Sequence, residues 1–84
     1  MKYMWFNTLV KRDHKLYKEY VIGRISGIMY VTCELDKNYY DRPTYECSEG
    51  SIFRVFCKKN DYERFAKTIE KLYPGLCEFN CKLG

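Results

Sequence analysis

The sequence predicts an α+β fold: a two-layer sandwich with a four- to five-stranded, mainly antiparallel sheet and one helix on one face, in the order β-β-β-β-α-β. Two observations favour this fold. Several short runs alternate apolar with polar residues, and this period of two is typical of half-buried strands. A later segment, residues 60–73, instead has its apolar residues at helical spacing. The 84 residues predict a single domain, because a chain of this length has room for one core.

The first three runs are predicted to form a meander of antiparallel strands. Residues 3–10 are apolar and aromatic, and a charged turn at residues 12–14 separates them from a second run at residues 16–25. Ser26-Gly27 is a two-residue hairpin signal, and residues 28–35 then alternate more regularly than any other run. Strands joined by such short turns have to lie side by side.

The second half of the chain supplies a loop, a strand, the helix and a last strand. Residues 36–50 contain turn-forming residues and mixed charge without periodicity, which predicts a long loop of the kind that often carries function. Residues 52–57 alternate as a fourth strand, and residues 76–81 form a short fifth. Pro74-Gly75 ends the helix between them, and a right-handed crossover through that helix makes the fourth and fifth strands parallel.

One helix covers only one face of the predicted sheet, so the other face is predicted to be bare, apolar and aromatic. Small soluble proteins seldom leave such a face uncovered unless a partner binds there. The further apolar side chains expected on it are Tyr3, Ile22, Ile28 and Ile52. The side chains expected to contact a partner are Trp5, Tyr20, Arg24, Tyr30, Arg54 and Phe56 on the sheet, with Tyr39, Tyr40, Arg42 and Tyr45 in the 36–50 loop.

The residue types on this face indicate a binding protein. Tyr, Trp and Arg carry much of the binding energy at protein interfaces, and aromatic residues make up 18% of the chain. The favoured partner is therefore another protein or a second copy of the chain in a homodimer. Two alternatives stay open: the face stacks nucleic-acid bases, or the first strand or the long loop folds across it.

In size and character the chain is similar to the small accessory proteins of phages and mobile elements, for example anti-defence proteins. Such proteins often occupy a surface on a larger enzyme. The analogy predicts a stoichiometric inhibitor or adaptor that acts through the aromatic sheet face and the 36–50 loop.

The charge balance argues against a dedicated nucleic-acid-binding protein. Fifteen Lys and Arg against eleven Asp and Glu give a net charge of only +4, and no Gly-aromatic pattern typical of an RNA-recognition motif occurs. A basic hairpin tip with Lys11, Arg12 and Lys15 is the candidate for phosphate contacts if the alternative holds. A charged turn of this kind is equally well explained as a solvated tip.

Five cysteines are interpreted as buried thiols rather than as metal ligands. Their number is odd and no CxxC pair occurs, so neither a fully paired disulfide framework nor a zinc knuckle is indicated. No metal and no cofactor is predicted. If a zinc site existed, its ligands would be Cys47, Cys57, Cys77 and Cys81.

The sequence predicts no enzyme and no membrane contact. His14 is the single histidine, and neither a glycine-rich phosphate loop nor a nucleophile elbow occurs. The apolar run at the N-terminus lacks the pattern of a signal peptide, and no run reaches the length of a membrane span. These features, together with unpaired cysteines, predict a cytoplasmic location.

Overall fold

The computed structural model describes residues 2–33 and 43–81, and within these ranges the side chains of residues 19–22 and 43–45 are excluded from the description. The elements alternate between strand and helix, with one β-hairpin in the middle of the chain. In chain order they are β1 (Tyr3–Lys11), α1 (Glu19–Thr32), β2 (Pro43–Cys47), β3 (Gly50–Lys58), α2 (Lys59–Leu72) and β4 (Cys77–Phe79).

The four strands form one antiparallel sheet in the order β2-β3-β1-β4. The predicted α+β class and antiparallel sheet are confirmed. Both β3 and β4 run antiparallel to β1, so they are parallel to each other, as predicted for the strands on either side of the second helix. β1 lies between them, which makes this a split β-α-β unit. The order and directions of all six elements are those of the ferredoxin-like arrangement.

The prediction of strands at residues 16–25 and 28–35 is wrong, because α1 occupies Glu19–Thr32. Ser26-Gly27 lies inside this helix and forms no turn. The buried residues of α1 and its C-cap are Ile25, Met29 and Cys33, which follow the helical spacing of four, whereas Val31 is 79% exposed. The alternation of apolar and polar residues at 28–35 therefore does not indicate which side chains are buried. The apolar residues of α1 are not confined to one side of the helix, so the sequence lacks the amphipathic pattern that would predict a helix here.

Part of the predicted 36–50 loop is a strand. Residues Pro43–Cys47 form β2, which pairs with β3 at the edge of the sheet and has an irregular register between Pro43 and Tyr45. Proline cannot donate to a strand ladder, and an edge strand is the place where a sheet tolerates it. Residues 34–42 lie outside the described ranges.

The core fills the space between one face of the sheet and both helices. The side chains of β1, β3 and α2 that point toward this space are buried at most positions, but Leu72 is exposed on α2 and Met4 is exposed on β1. Within the described residues, neither helix is long and apolar enough to cross a membrane. The main cluster contains Phe6 and Val10 from β1, Ile25, Met29 and Cys33 from α1, Phe53, Val55 and Cys57 from β3, Tyr62, Phe65 and Ile69 from α2, and Leu76 and Cys77 from the end of the chain.

Candidate partner-binding face

Both helices lie on the same side of the sheet, so the opposite side forms an open face. In a strand, alternate side chains project to opposite sides, and the core residues of β1 and β3 identify the inward positions. The remaining positions project outward. The open face therefore comprises Tyr3, Trp5, Asn7, Leu9 and Lys11 on β1, Ile52, Arg54, Phe56 and Lys58 on β3, and Glu78 on β4.

Three rings at one end of the open face form an aromatic cluster of Tyr3, Trp5 and Phe56. Trp5 is the cross-strand partner of Phe56, with ring centroids 5.2 Å apart, and Tyr3 stacks on Phe56 at 5.6 Å. Trp5 is 49% exposed and Tyr3 is 47% exposed. The predicted bare aromatic surface is therefore present on β1 and β3, the two central strands of the sheet.

Two cations contact this aromatic cluster. The guanidinium carbon of Arg54 lies 4.5 Å from the centroid of the Trp5 ring, and the ammonium nitrogen of Lys58 lies 5.6 Å from the Tyr3 ring. Such contacts contribute about 0.5–1 kcal/mol each at exposed sites. They place two positive charges beside the cluster.

Asn7 connects the open face to the C-terminal end of β4. Its side-chain amide donates to the carbonyl oxygen of Cys81 at 3.2 Å, and the backbone N–H of Cys81 donates to the Asn7 carbonyl at 3.1 Å. Within the described part of the chain, the buried Oδ1 of Asn7 and the buried Nε of Arg54 have no hydrogen-bond partner.

The other end of the open face is covered. Leu9 and Ile52 project outward but are only 4% and 6% exposed. Beside them is a shallow cavity of about 520 Å³ at the end of β1. Among the described residues, the exposed apolar part of the face is thus the aromatic cluster, whereas Lys11 and Glu78 at this end are charged and partly exposed. The cavity is lined by Leu9, Lys11, Arg12, Asp13, Ser48, Glu49 and Glu78.

Two of the three predicted phosphate contacts, Lys11 and Arg12, lie at this cavity. Lys11 forms an ion pair with Glu78, and Arg12 forms one with Glu46, each at 3.6 Å. Lys15 is exposed in the turn after β1. The two neighbouring carboxylates offset the charge of Lys11 and Arg12, so the geometry does not strengthen the prediction of a phosphate site.

The predicted placement of Arg24 and Tyr30 on the open face is wrong, because both belong to α1, on the other side of the sheet. Their contact with a partner stays a prediction. Tyr20 and Ile22 also belong to α1, and Tyr45 pairs with Ile52 as part of β2, but their side chains are outside the description. Ile28 packs against the core from α1. Tyr39, Tyr40 and Arg42 lie outside the described residues.

Three of the five cysteines are buried. Cys33 and Cys57 lie side by side in the core, where their hydrogen bond and burial raise the pKa of Cys33. Burial raises the pKa of Cys77 to about 12 and also raises the pKa of Cys81. Among residues 2–33 and 43–81, no group of three or more His, Cys, Asp and Glu side chains is arranged to hold a metal ion.

Sequence reasoning missed Lys58 as part of the face and did not count Tyr3 among the direct contacts. Lys58 was assigned to the connection after the fourth strand. It continues the outward series of Ile52, Arg54 and Phe56, and the alternation would have included it if the strand had been extended by one residue. This extension places Lys58 opposite Tyr3.

Comparisons with protein-family models, with curated proteins and with solved structures gave no match to this chain.

Proposed function

We propose that this chain is a small non-enzymatic binding protein that holds its partner on the open face. The observation that carries the proposal is the exposed aromatic cluster of Tyr3, Trp5 and Phe56 on the two central strands. Large exposed rings cost solubility, and a cluster of them is typical of a surface that is covered in a complex. Trp, Tyr and Arg are also the residue types that dominate binding energy at interfaces.

In this proposal the protein acts by covering a surface of its partner, as a stoichiometric inhibitor or adaptor. The analogy with phage and mobile-element accessory proteins supports this mode and puts another protein, or a second copy of the chain, first among the partners. The contacts of Arg54 and Lys58 with the rings favour a different candidate, a partner that is anionic and offers planar groups to the cluster.

The test is capture of a partner from an extract of the cells that produce the protein, with and without nuclease treatment. The tagged wild type is compared with the double variant Trp5→Ala/Phe56→Ala. Val31→Ala is the matched control, because Val31 is an exposed apolar residue of α1, on the other side of the sheet.

A protein or nucleic acid that the wild type and the control retain, and the double variant loses, supports the proposal. A result in which nothing is retained, or in which all three proteins retain the same species equally, contradicts it. The nuclease-treated sample shows which class of partner binds to the cluster.

A further inference from the structure

The charges around the aromatic cluster are positive. Among the described residues of β1, β3 and β4, the outward charged side chains are Lys11, Arg54, Lys58 and Glu78. Glu78 is remote from the cluster and forms its ion pair with Lys11 at 3.6 Å. Arg54 and Lys58 thus make this end of the face cationic, although the net charge of the whole chain is only +4.

The arrangement of the rings suits planar ligands. Tyr3 and Trp5 are two residues apart on β1, which separates them by about 7 Å along the strand. Phe56 contacts both rings from the neighbouring strand, and nearly half of the surface of Tyr3 and of Trp5 is exposed. Two planar groups can therefore stack on neighbouring rings of one continuous platform.

The position of the cations distinguishes between partner classes. Lys is depleted at protein–protein interfaces, whereas Arg is enriched there, so Lys58 is the residue that distinguishes between the classes. Here the ammonium nitrogen of Lys58 lies 5.6 Å from the Tyr3 ring, next to the contact of Arg54 with Trp5, so positive charge adjoins the exposed rings. A sheet that combines exposed aromatic rings with cations provides both of the contacts that an unpaired nucleotide needs: a ring for the base and a positive charge for the phosphate.

We infer that the open face binds single-stranded nucleic acid, with bases stacked on Tyr3, Trp5 and Phe56 and phosphates contacting Arg54 and Lys58. This inference rests on the proposed function, because it names the partner of the same face. A duplex does not fit, since its bases are stacked on one another and do not reach the rings.

Sequence preference is expected to be weak. Base-specific readout requires donors and acceptors that are free to reach base edges, whereas the side-chain nitrogen of Asn7 already donates to Cys81 and its Oδ1 is buried. Stacking accepts every base, because every base has a π-face. With two cations in reach, the affinity should resemble non-specific binding, on the order of 10⁻⁴ to 10⁻⁶ M.

The experiment is fluorescence anisotropy of labelled oligothymidine, oligouridine and a duplex of the same length, measured over a series of salt concentrations. Both single strands should bind more tightly than the duplex. Two phosphate contacts predict a slope of about −1.4 for the logarithm of the affinity against the logarithm of the salt concentration. Arg54→Gln should reduce this slope by about half, because one of the two contacts is lost.

Variants of Trp5 measure the contribution of stacking to the affinity. Trp5→Ala should weaken binding by about tenfold or more, and Trp5→Phe should restore most of the affinity because it keeps a ring in place. Val31→Ala should bind as the wild type does, since Val31 is exposed on α1. The ribose and deoxyribose strands distinguish a preference for RNA from one for DNA.

The inference is overturned if neither single strand binds, if the duplex binds equally well, or if Trp5→Ala leaves the affinity unchanged. It is also overturned if the cluster retains a nuclease-resistant protein partner while oligonucleotides do not bind; the proposed function then stands. If capture is also independent of Trp5 and Phe56, both proposals fail.

Discussion

The rings of Trp5 and Phe56 lie opposite each other on β1 and β3, with their centroids 5.2 Å apart, on the side of the sheet that neither helix covers. Three residues earlier on β3, Phe53 projects to the other side and is fully buried in the core. One strand therefore carries two phenylalanines in contrasting surroundings, which gives an internal control for the exposure of the open face.

Phe53→Ala and Phe56→Ala should differ in their effect on the free energy of unfolding. Phe53→Ala removes a fully buried ring and should cost about 3–5 kcal/mol. Phe56→Ala removes a half-buried ring and its two aromatic contacts, for a loss of about 1–2 kcal/mol. Urea denaturation measures both values. Equal losses would mean that the open face is packed as tightly as the core.

Gly27→Ala distinguishes the observed helix from the predicted hairpin. Gly27 lies within α1, and a Cβ built on it contacts nothing within 4 Å. Alanine should therefore stabilise the protein by about 0.5–1 kcal/mol, because it favours the helix and lowers the entropy of the unfolded chain. If Ser26-Gly27 were a hairpin turn, the same substitution would lower the midpoint of thermal unfolding.

Gly50→Ala is the contrasting substitution. Gly50 lies opposite Lys11 in the β1–β3 ladder, and a Cβ at this position would clash with the backbone carbonyl of Val10. Neither backbone can withdraw without breaking ladder hydrogen bonds, so we expect a clear loss of stability in urea denaturation. Unchanged stability would contradict the observed register of the two strands.

The fold of the chain was predictable where one side of a segment is clearly more apolar than the other. In β3, Arg54 and Phe56 were predicted on the open face and lie there, whereas the alternate residues Phe53, Val55 and Cys57 are buried. α2 is strongly amphipathic and was also predicted. α1 was not, because its exposed positions include Gly23, Gly27 and Val31 as well as Arg24, and alternation then resembles a strand.

The residues of the candidate site were predicted correctly where the element that carries them was predicted correctly. Trp5, Arg54 and Phe56 were predicted on the open face and lie there, because β1 and β3 were assigned with the correct side inward. Arg24 and Tyr30 do not lie on the open face, because the two strands predicted to carry them are one helix. The ring–cation contacts depend on which residues of β1 and β3 are paired, and no local sequence signal sets the register of two strands that are distant in the chain.

Tyr62 should make the stability depend on pH at high pH. Its hydroxyl donates to the Asn7 carbonyl at 3.0 Å, accepts from the N–H of Asn80 at 2.8 Å and lies 2.7 Å from Oγ1 of Thr8. Burial raises the pKa of Tyr62 from 10.0 to about 12. The protonated hydroxyl therefore contributes its full stability below pH 10, and that contribution is lost as the pH rises through 12.

Tyr62→Phe should accordingly cost about 1–3 kcal/mol near neutral pH, because it removes the hydrogen-bond partner of the buried Thr8 hydroxyl and of the Asn80 N–H. The difference from the wild type should shrink in urea denaturation above pH 10. A difference that stays constant up to pH 12 would contradict the assigned hydrogen bonds.

The thiols should react in two classes with a thiol-specific reagent. Cys33, Cys57 and Cys77 are buried, so they should react only when the protein unfolds. Cys47 and Cys81 are partly exposed and should react first in the folded protein. Mass spectrometry of the labelled peptides identifies each site.

A chelator should leave the midpoint of thermal unfolding unchanged, and a lower midpoint would restore the zinc interpretation.

The most direct test of the open face as a binding surface uses the fluorescence of Trp5, the single tryptophan of the chain. Titration with unlabelled oligouridine should quench its emission to saturation, because a base stacks on the ring. Inorganic polyphosphate, which carries the charge without the bases, should leave the emission nearly unchanged. Saturation by the oligonucleotide without any change in Trp5 emission, or equal quenching by polyphosphate, would contradict binding by the aromatic cluster.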